Sequence, residues 1–497
     1  MEMQFDRVPM AYLKKLTGQL RSQEQTLEVR LPDGMPDIGR VLGAWGQVIV
    51  RSKEWNSDAM TVSCGVMAWV LYTPEDEESV RSVEAWLPFS MKWELPDARY
   101  DGKILVSCLL RGVDARGISA RKLMVRASLS ALGEAWLPDE ASMAVPGALP
   151  EDVELLTAEY PLLVPREAGE KAFSLEEELA LPNGVRPEKL LYYSLQPEIL
   201  DKKVMAGKVV FRGIGRLRLL CRGEDGKLFP LNFELPFSQY GDLEGEYDGE
   251  PTVSLCPCVT GLDLSMDENG VLQLKAGLLG QYMLCERIVV SLVEDAYSTR
   301  RTVVPIMEEL RLPVVLEQTV RTFHGEQTLR TEVDQVVDTV FLPAYGQPER
   351  TAFGIRVPLP GQFQTLYYDG EGKLSGAVMS WEGEWTMDAD DNAMVDMYIQ
   401  QTGSPQAVPG MELSLRGELT AAATVTAGQG LPMITGMEMG EPEKPDADRP
   451  SLILCRKGDR RLWDIAKRTR STVTAIKEAN RLEGEPEENR VLLIPVP

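Results

Sequence analysis

The chain has 497 residues, 44% of them hydrophobic and 26% charged, with a formal net charge of −24. That length exceeds one hydrophobic core and predicts about three or four domains, while the apolar content excludes wholesale disorder. From Pro450 onward ten Lys or Arg face seven Asp or Glu, a balance of +3 that leaves −27 on the preceding residues. Nucleic acid is excluded as a partner of the body, because phosphate binding needs a basic face.

The N-terminal stretch MEMQFDRVPMAYLKKLTGQL holds no apolar run of signal-peptide length. No window reaches the roughly 18 uninterrupted apolar residues of a membrane span, so a cytoplasmic chain with no transmembrane segment is expected. Seven cysteines (Cys64, Cys108, Cys221, Cys256, Cys258, Cys285 and Cys455) lie scattered through apolar runs, as free thiols of a reducing compartment would.

Turn signals of the Asn-Gly and Asp-Gly kind recur in EDGK at 224–227, DENG at 267–270 and YDGEGK at 368–373. Runs such as GKVVFRGIGRLRLLC and MELSLRGELTAAATV alternate apolar with other residues, and helical periodicity is scarce before residue 450. The body therefore reads as antiparallel β-structure. The expected fold class is mainly β: tandem antiparallel β-sandwich-like domains followed by one small βααβ module.

An internal repeat supports this division. Gly65 recurs as Gly213, Leu87-Pro88-Phe89-Ser90 as Leu235-Pro236-Phe237-Ser238, and Tyr100-Asp101-Gly102 as Tyr247-Asp248-Gly249. Val106-Ser107 returns as Val253-Ser254, Gly112 and Asp114 as Gly261 and Asp263, and Ala127 and Leu129 as Ala276 and Leu278. Two copies of one β domain are expected, at 1–150 and 151–308. A third β domain, 309–440, has the same texture with only an echo such as LSLRGELT, and the sequence leaves open whether it is a diverged copy. Residues 441–450 are polar and Pro-rich, a linker.

The last segment, 451–497, changes character. Ile453 to Cys455 predicts a strand, and Gly458-Asp459 a turn into a helix with Leu462, Ile465 and Ala466 on one stripe. Thr472 is placed to cap a second helix carrying Val473, Ile476 and Ala479, and Val491 to Ile494 predicts a closing strand.

KGDRRLWDIAKR followed by TVTAIKEAN resembles the LysM module, with Gly458, Asp459, Leu462, Trp463, Ile465, Ala466, Ile476, Ala479, Asn480, Leu482, Ile494 and Pro495 fitting its pattern. LysM members that bind N-acetylglucosamine polymers hold them between the loop after the Gly-Asp turn and the loop after the second helix. Here Arg460 replaces the usual Thr or Ser, and EENR at 487–490 replaces the family's Pro-Gly-Gln. These departures make peptidoglycan or another glycan the second choice of ligand.

PDGMPDIGRVLGAWGQVIV, WLPFS and GISARKLMVRASL resemble the SPOCS domain of endospore-forming bacteria. SPOCS domains followed by one LysM module resemble the layout of the SipL family of spore coat morphogenetic proteins. The resemblance implies a sporulation scaffold in the mother-cell cytoplasm, at the forespore surface. It implies a LysM module that binds a SpoIVA-like coat ATPase, with other coat proteins as further partners. The expected partner-binding surface comprises Asp459, Arg460, Arg461, Trp463, Arg468, Arg470, Asn480 and Leu482. Arginines there would steer an acidic partner, while Trp463 either packs in the module core or lends its edge to the surface.

No catalytic residues, metal or cofactor are expected. His324 is the only histidine and sits before a glycine in RTFHGEQ, the place of a turn or surface residue. Cys256 and Cys258 share a strand face without a second ligand pair, which points to buried structural thiols. DADDN at 388–392 has calcium-loop spacing but Ala393 and Ile399 where Gly and Glu are needed, so a solvated turn is expected. Leu-Pro-Phe-Ser is expected as a structural corner with Phe89 and Phe237 in equivalent cores.

Overall fold

The computed structural model describes all residues except 1, 57, 76–78, 96–101, 183–184, 248–250, 268–270, 444–450, 456–461, 488–489 and 496–497. The described chain is mainly β, built from several small antiparallel sheets and two short helices. The first strands are β1 (Glu2–Gln4), β2 (Asp6–Arg30), β3 (Ile38–Trp55), β4 (Ala59–Pro74), β5 (Arg81–Glu94), β6 (Lys103–Ser119) and β7 (Lys122–Val145). Strands β2, β7 and β6 form one sheet and β3, β4 and β5 another.

The same connection order returns twice. Strands β8 (Val153–Leu179), β9 (Pro187–Met205), β10 (Lys208–Gly223), β11 (Leu228–Asp242), β12 (Thr252–Met266) and β13 (Leu272–Ser298) pair as β8-β13-β12 and β9-β10-β11. Then come β14 (Val303–Leu329), β15 (Val333–Pro343), β16 (Glu349–Thr351), β17 (Gly354–Asp369), β18 (Leu374–Met387), β19 (Met394–Val408) and β20 (Leu413–Met439). These pair as β14-β20-β19 and β15-β17-β18, with β16 added to β17. The stretch that carried only an echo of the repeat thus follows the same six-strand pairing, starting at Val303. The N-terminal β1 adds to β20, tying the start of the chain to the third unit.

Period-two patterning explains the local structure. In β5 the side chains of Val83, Ala85, Leu87, Phe89, Met91 and Trp93 are buried while those between are more exposed, as one core-facing sheet surface requires. At the β10–β11 turn, Asp225 accepts from the Lys227 N–H at 3.1 Å and Gly226 takes φ +80°, which glycine tolerates without a steric cost.

Phe89 and Phe237 are both buried, and Ala127/Ala276 and Leu129/Leu278 are buried pairs on β7 and β13. Two proposed matches are out of step. Val106 lies opposite Gly133, whose counterpart by the Ala127/Ala276 match is Tyr282, yet Tyr282 lies opposite Leu255 and not Val253. Cys64 lies opposite Phe89 whereas Gly213 lies opposite Phe237, so Gly65 and Gly213 do not occupy equivalent places. Tyr100-Asp101 and Asp248-Gly249 lie outside the described residues.

The three units close into a ring. Strand β3 packs on β12, β9 on β19, and β15 on β6, while within the units β3 meets β6, β9 meets β12 and β15 meets β19. Six strands therefore surround one axis. Beyond them the long first and last strands of each unit continue as the ribbons β2–β7, β8–β13 and β14–β20. Their ends share a core that includes Phe5, Leu162, Leu292, Leu312, Ile434 and Met437.

Buried polar groups lock the seams, since each must find a partner away from water. Gln281 of β13 accepts from Val106 N–H at 3.0 Å and donates to Val106 O at 2.8 Å on β6. Tyr345, just after β15, donates its hydroxyl to Ser107 Oγ at 2.7 Å. Between the first and third units, Lys15 lies 2.8 Å from Glu134 and also contacts Asp396, while Tyr398 donates to Glu134.

Burial outweighs Lys15 and pushes the Asp396 carboxyl from 3.8 up to about 6. The fold therefore disfavours its ionised form. This group's contribution to stability declines as pH rises from 3.8 to about 6 and is level above that. Urea unfolding across this range is expected to show Asp396→Asn gaining on the wild type as pH rises, with a constant difference above the window. A difference independent of pH would remove Asp396 as the titrating group.

Candidate functional site

The C-terminal elements are β21 (Leu452–Leu454), α1 (Leu462–Thr469), α2 (Val473–Asn480) and β22 (Val491–Leu493), with β21 antiparallel to β22. Helix α1 buries Leu462, Trp463, Ile465, Ala466 and Thr469. Its Leu462 N–H is capped by Glu485 Oε2 at 2.6 Å, which satisfies one of the donors left open at a helix start. Helix α2 begins at Thr472, whose side chain accepts from Ala475 N–H at 3.0 Å, and ends at Arg481 in the left-handed region at φ +54°. Thr472→Ala is expected to lower the module's stability by about 1 kcal/mol, read as an earlier melting of Trp463 fluorescence.

The module is mounted on the end of the β8–β13 ribbon. Trp463 lies edge-on to Tyr297 at 4.7 Å between ring centroids, and its indole N–H donates to Asp295 Oδ2 at 2.8 Å. Tyr297 donates its hydroxyl to Ser471 O at 2.8 Å, and Lys467 Nζ lies 2.7 Å from Asp295 Oδ1. Arg470 pairs with Glu443 at 2.6 Å.

Burial alone would raise the Asp295 carboxyl, but the hydrogen bonds from Lys467 and Trp463 outweigh it and hold it below its ordinary 3.8. Its stabilising contribution is present above 3.8 and is lost as pH falls through the lowered value. Acid titration of Trp463 fluorescence is expected to show this contact intact at pH 5 and weakened only below about 4. A transition near neutrality would contradict it.

These contacts reassign several of the expected surface residues. Trp463 is buried at 7% exposure and spent on the body, so it presents no free anchor. Arg470 turns toward Glu443. Asn480 is a clamp: its Nδ2 donates to Leu493 O at 2.6 Å and its Oδ1 accepts from Leu493 N–H at 2.7 Å, fixing β22 to α2. Leu482 is half-buried against the module core, and Arg468 is exposed. Asp459, Arg460 and Arg461 lie outside the described residues.

A different surface emerges. On β21 and β22, Ile453 and Leu492 face the core, so their neighbours point outward: Leu452 pairs with Leu493 and Leu454 with Val491. All four are exposed, at 59% and 48%, and 45% and 56%, and together form an unbroken aliphatic face. The sequence signal for this face is the missing alternation in LIL and VLLI, where a strand covering a core on one side would show polar residues on the other.

Elsewhere the candidate motifs are structural or exposed. His324 is a surface residue beside Glu418, 3.2 Å away. Cys256 and Cys258 are buried, and burial pushes both thiols up to about 12. In DADDN, Ala393 N–H donates to Asp390 O at 2.9 Å, closing a turn. Among the described residues no group of three or more His, Cys, Asp or Glu is arranged to hold a metal, and no helix is long and apolar enough to cross a membrane. No protein family, curated protein or solved structure matches the chain.

Proposed function

We propose that this protein is a non-enzymatic scaffold of endospore coat assembly that docks through its C-terminal module onto a coat morphogenetic ATPase of the SpoIVA type. The observation that carries the docking is the aliphatic face of Leu452, Leu454, Val491 and Leu493, exposed together on the antiparallel pair β21–β22. Four adjacent exposed aliphatics form an apolar centre of the kind that dominates protein interfaces. The exposed Arg481 adds positive charge near this end of an otherwise acidic chain, favouring an acidic partner surface. The spore coat assignment and the choice of ATPase rest on the SPOCS and LysM resemblances.

Glycan binding is the alternative. Glu485, in the loop after α2, accepts from the Leu462 N–H at the start of α1, and a carboxylate in that loop disfavours it. Calorimetry of the full chain with the coat ATPase and, separately, with N-acetylglucosamine oligomers distinguishes the two. Heat is expected with the ATPase alone. Micromolar oligosaccharide binding without ATPase binding would replace docking by glycan tethering.

A further inference from the structure

The three seams of the ring are not filled alike. The first strand of each unit bulges at one residue: Leu16 in β2, Arg166 in β8 and Leu316 in β14. The second strands β3 and β9 each have three register shifts, of which the one nearest the following hairpin falls at Arg51 in β3 and at Leu200 in β9. These bulges put the units in register. Lys53 and Lys202 each lie two residues beyond their bulge, and Glu170 and Val320 each lie four beyond theirs. Across the ribbons, Glu170 pairs with Gln281 and Val320 with Ala422.

At the seam of the first and second units, Lys53 reaches across to the second unit. Its ammonium donates to Gln281 Oε1 at 2.9 Å, contacts Glu170, and donates to Ile104 O at 2.8 Å. At the seam of the second and third units Lys202 occupies the corresponding place. The positions of Glu170 and Gln281 are there held by Val320 and Ala422, so the carboxylate and the amide are gone. Among the described residues Lys202 has no carboxylate partner.

A cavity of about 590 Å³ opens at this place, with Lys202, Val320 and Ala422 in its wall, within the roughly 300–1,000 Å³ that holds a small organic ligand. Leu200 and Val320, both largely exposed, flank its mouth from opposite units, and Trp45 and Leu255 lie deeper. Other cations in the wall are already neutralised: Arg216 by Glu198 and Glu234, Arg218 by Asp338. Crowding by the walls lowers the Lys202 ammonium below the ordinary lysine range, as expected of a cation lacking its counter-ion.

We propose that this cavity binds a small amphipathic monocarboxylate, whose carboxylate takes at Lys202 the place that Glu170 takes at Lys53. Lys202 is the wall cation without a carboxylate partner among the described residues, and the aliphatic substitutions that removed the acid supply apolar surface for the ligand's body. A dianion would meet Glu234 with only one free cation to balance it.

The test is calorimetric titration of the full chain with octanoate and with octanol, with Trp45 fluorescence as a second readout. Octanoate is expected to bind and octanol not. Lys202→Met is expected to weaken octanoate binding about threefold to fivefold, the loss of one ion pair at the exposed mouth of the cavity. Val320→Glu rebuilds the missing acid and is expected to abolish octanoate binding by pairing with Lys202 itself. Both side chains are exposed, so both variants should retain the wild-type fold, checked by circular dichroism. Failure of octanoate to bind the wild-type chain, or undiminished binding to both variants, overturns the proposal.

Discussion

Asp338→Ala is expected to destabilise the body by about 3–5 kcal/mol, because it strips the partner from a buried cation between two units. Asp338 on β15 is 2% exposed, accepts from Arg218 Nε on β10 at 2.6 Å, and also accepts the Tyr192 hydroxyl of β9. Burial acts against the Arg218 charge, but Asp338 outweighs it and raises that guanidinium further. With alanine the guanidinium keeps its burial and loses its counter-charge, while the Tyr192 hydroxyl loses its acceptor. Asp338→Asn preserves an acceptor and is expected to cost less. Urea unfolding measures both. A loss below about 1 kcal/mol for Asp338→Ala would mean that water entering the adjacent cavity solvates Arg218, and that this pair does not hold the seam.

Trp463→Ala is the second large effect, expected at about 3–5 kcal/mol on the module and its attachment. The ring fills the space between the module core and Tyr297, and its N–H satisfies part of Asp295. Removing it creates a cavity and leaves Asp295 to Lys467 alone. Limited proteolysis is expected to cut the variant within residues 441–461 faster than the wild type, with the body still resistant. Trp463→Phe keeps most of the packing and is expected to fall between the two. Equal cleavage of wild type and Trp463→Ala would show that the module does not depend on this contact.

Much of the architecture is legible in the residues because it rests on period-two burial. The identities shared by the first two units, such as Ala127 with Ala276 and Leu129 with Leu278, fall on the core face, where packing restricts the choice of side chain. The third unit keeps the connection order but few identities. What relates Leu16, Arg166 and Leu316 is a bulge, a backbone feature that almost any side chain can occupy. The β9–β10 hairpin turns on Ala206-Gly207, both with positive φ, so a search for Asn-Gly or Asp-Gly pairs passes over it.

The candidate site was legible in outline only. The helical stripe of Leu462, Ile465 and Ala466 marks the module, and Thr472 marks its second helix. Whether Trp463 faces inward or outward depends on Tyr297 and Asp295, far away in the chain, and no local pattern encodes that distance. The same holds for Arg470 and Glu443. The outer aliphatic face was written in LIL and VLLI, but short apolar strands are ambiguous until their register shows which side is covered.

The measurement closest to the central claim is the affinity of the full chain for its proposed partner, a coat ATPase of the SpoIVA type, with Leu454→Asp and Leu493→Asp introduced together. Both side chains are exposed, at 45% and 48%, so the fold is expected to persist. Two carboxylates in the apolar centre of an interface are expected to weaken binding about a hundredfold or more. Calorimetry giving that loss with an unchanged melting curve is the predicted result. Wild-type affinity in the doubly substituted chain would contradict docking through this face.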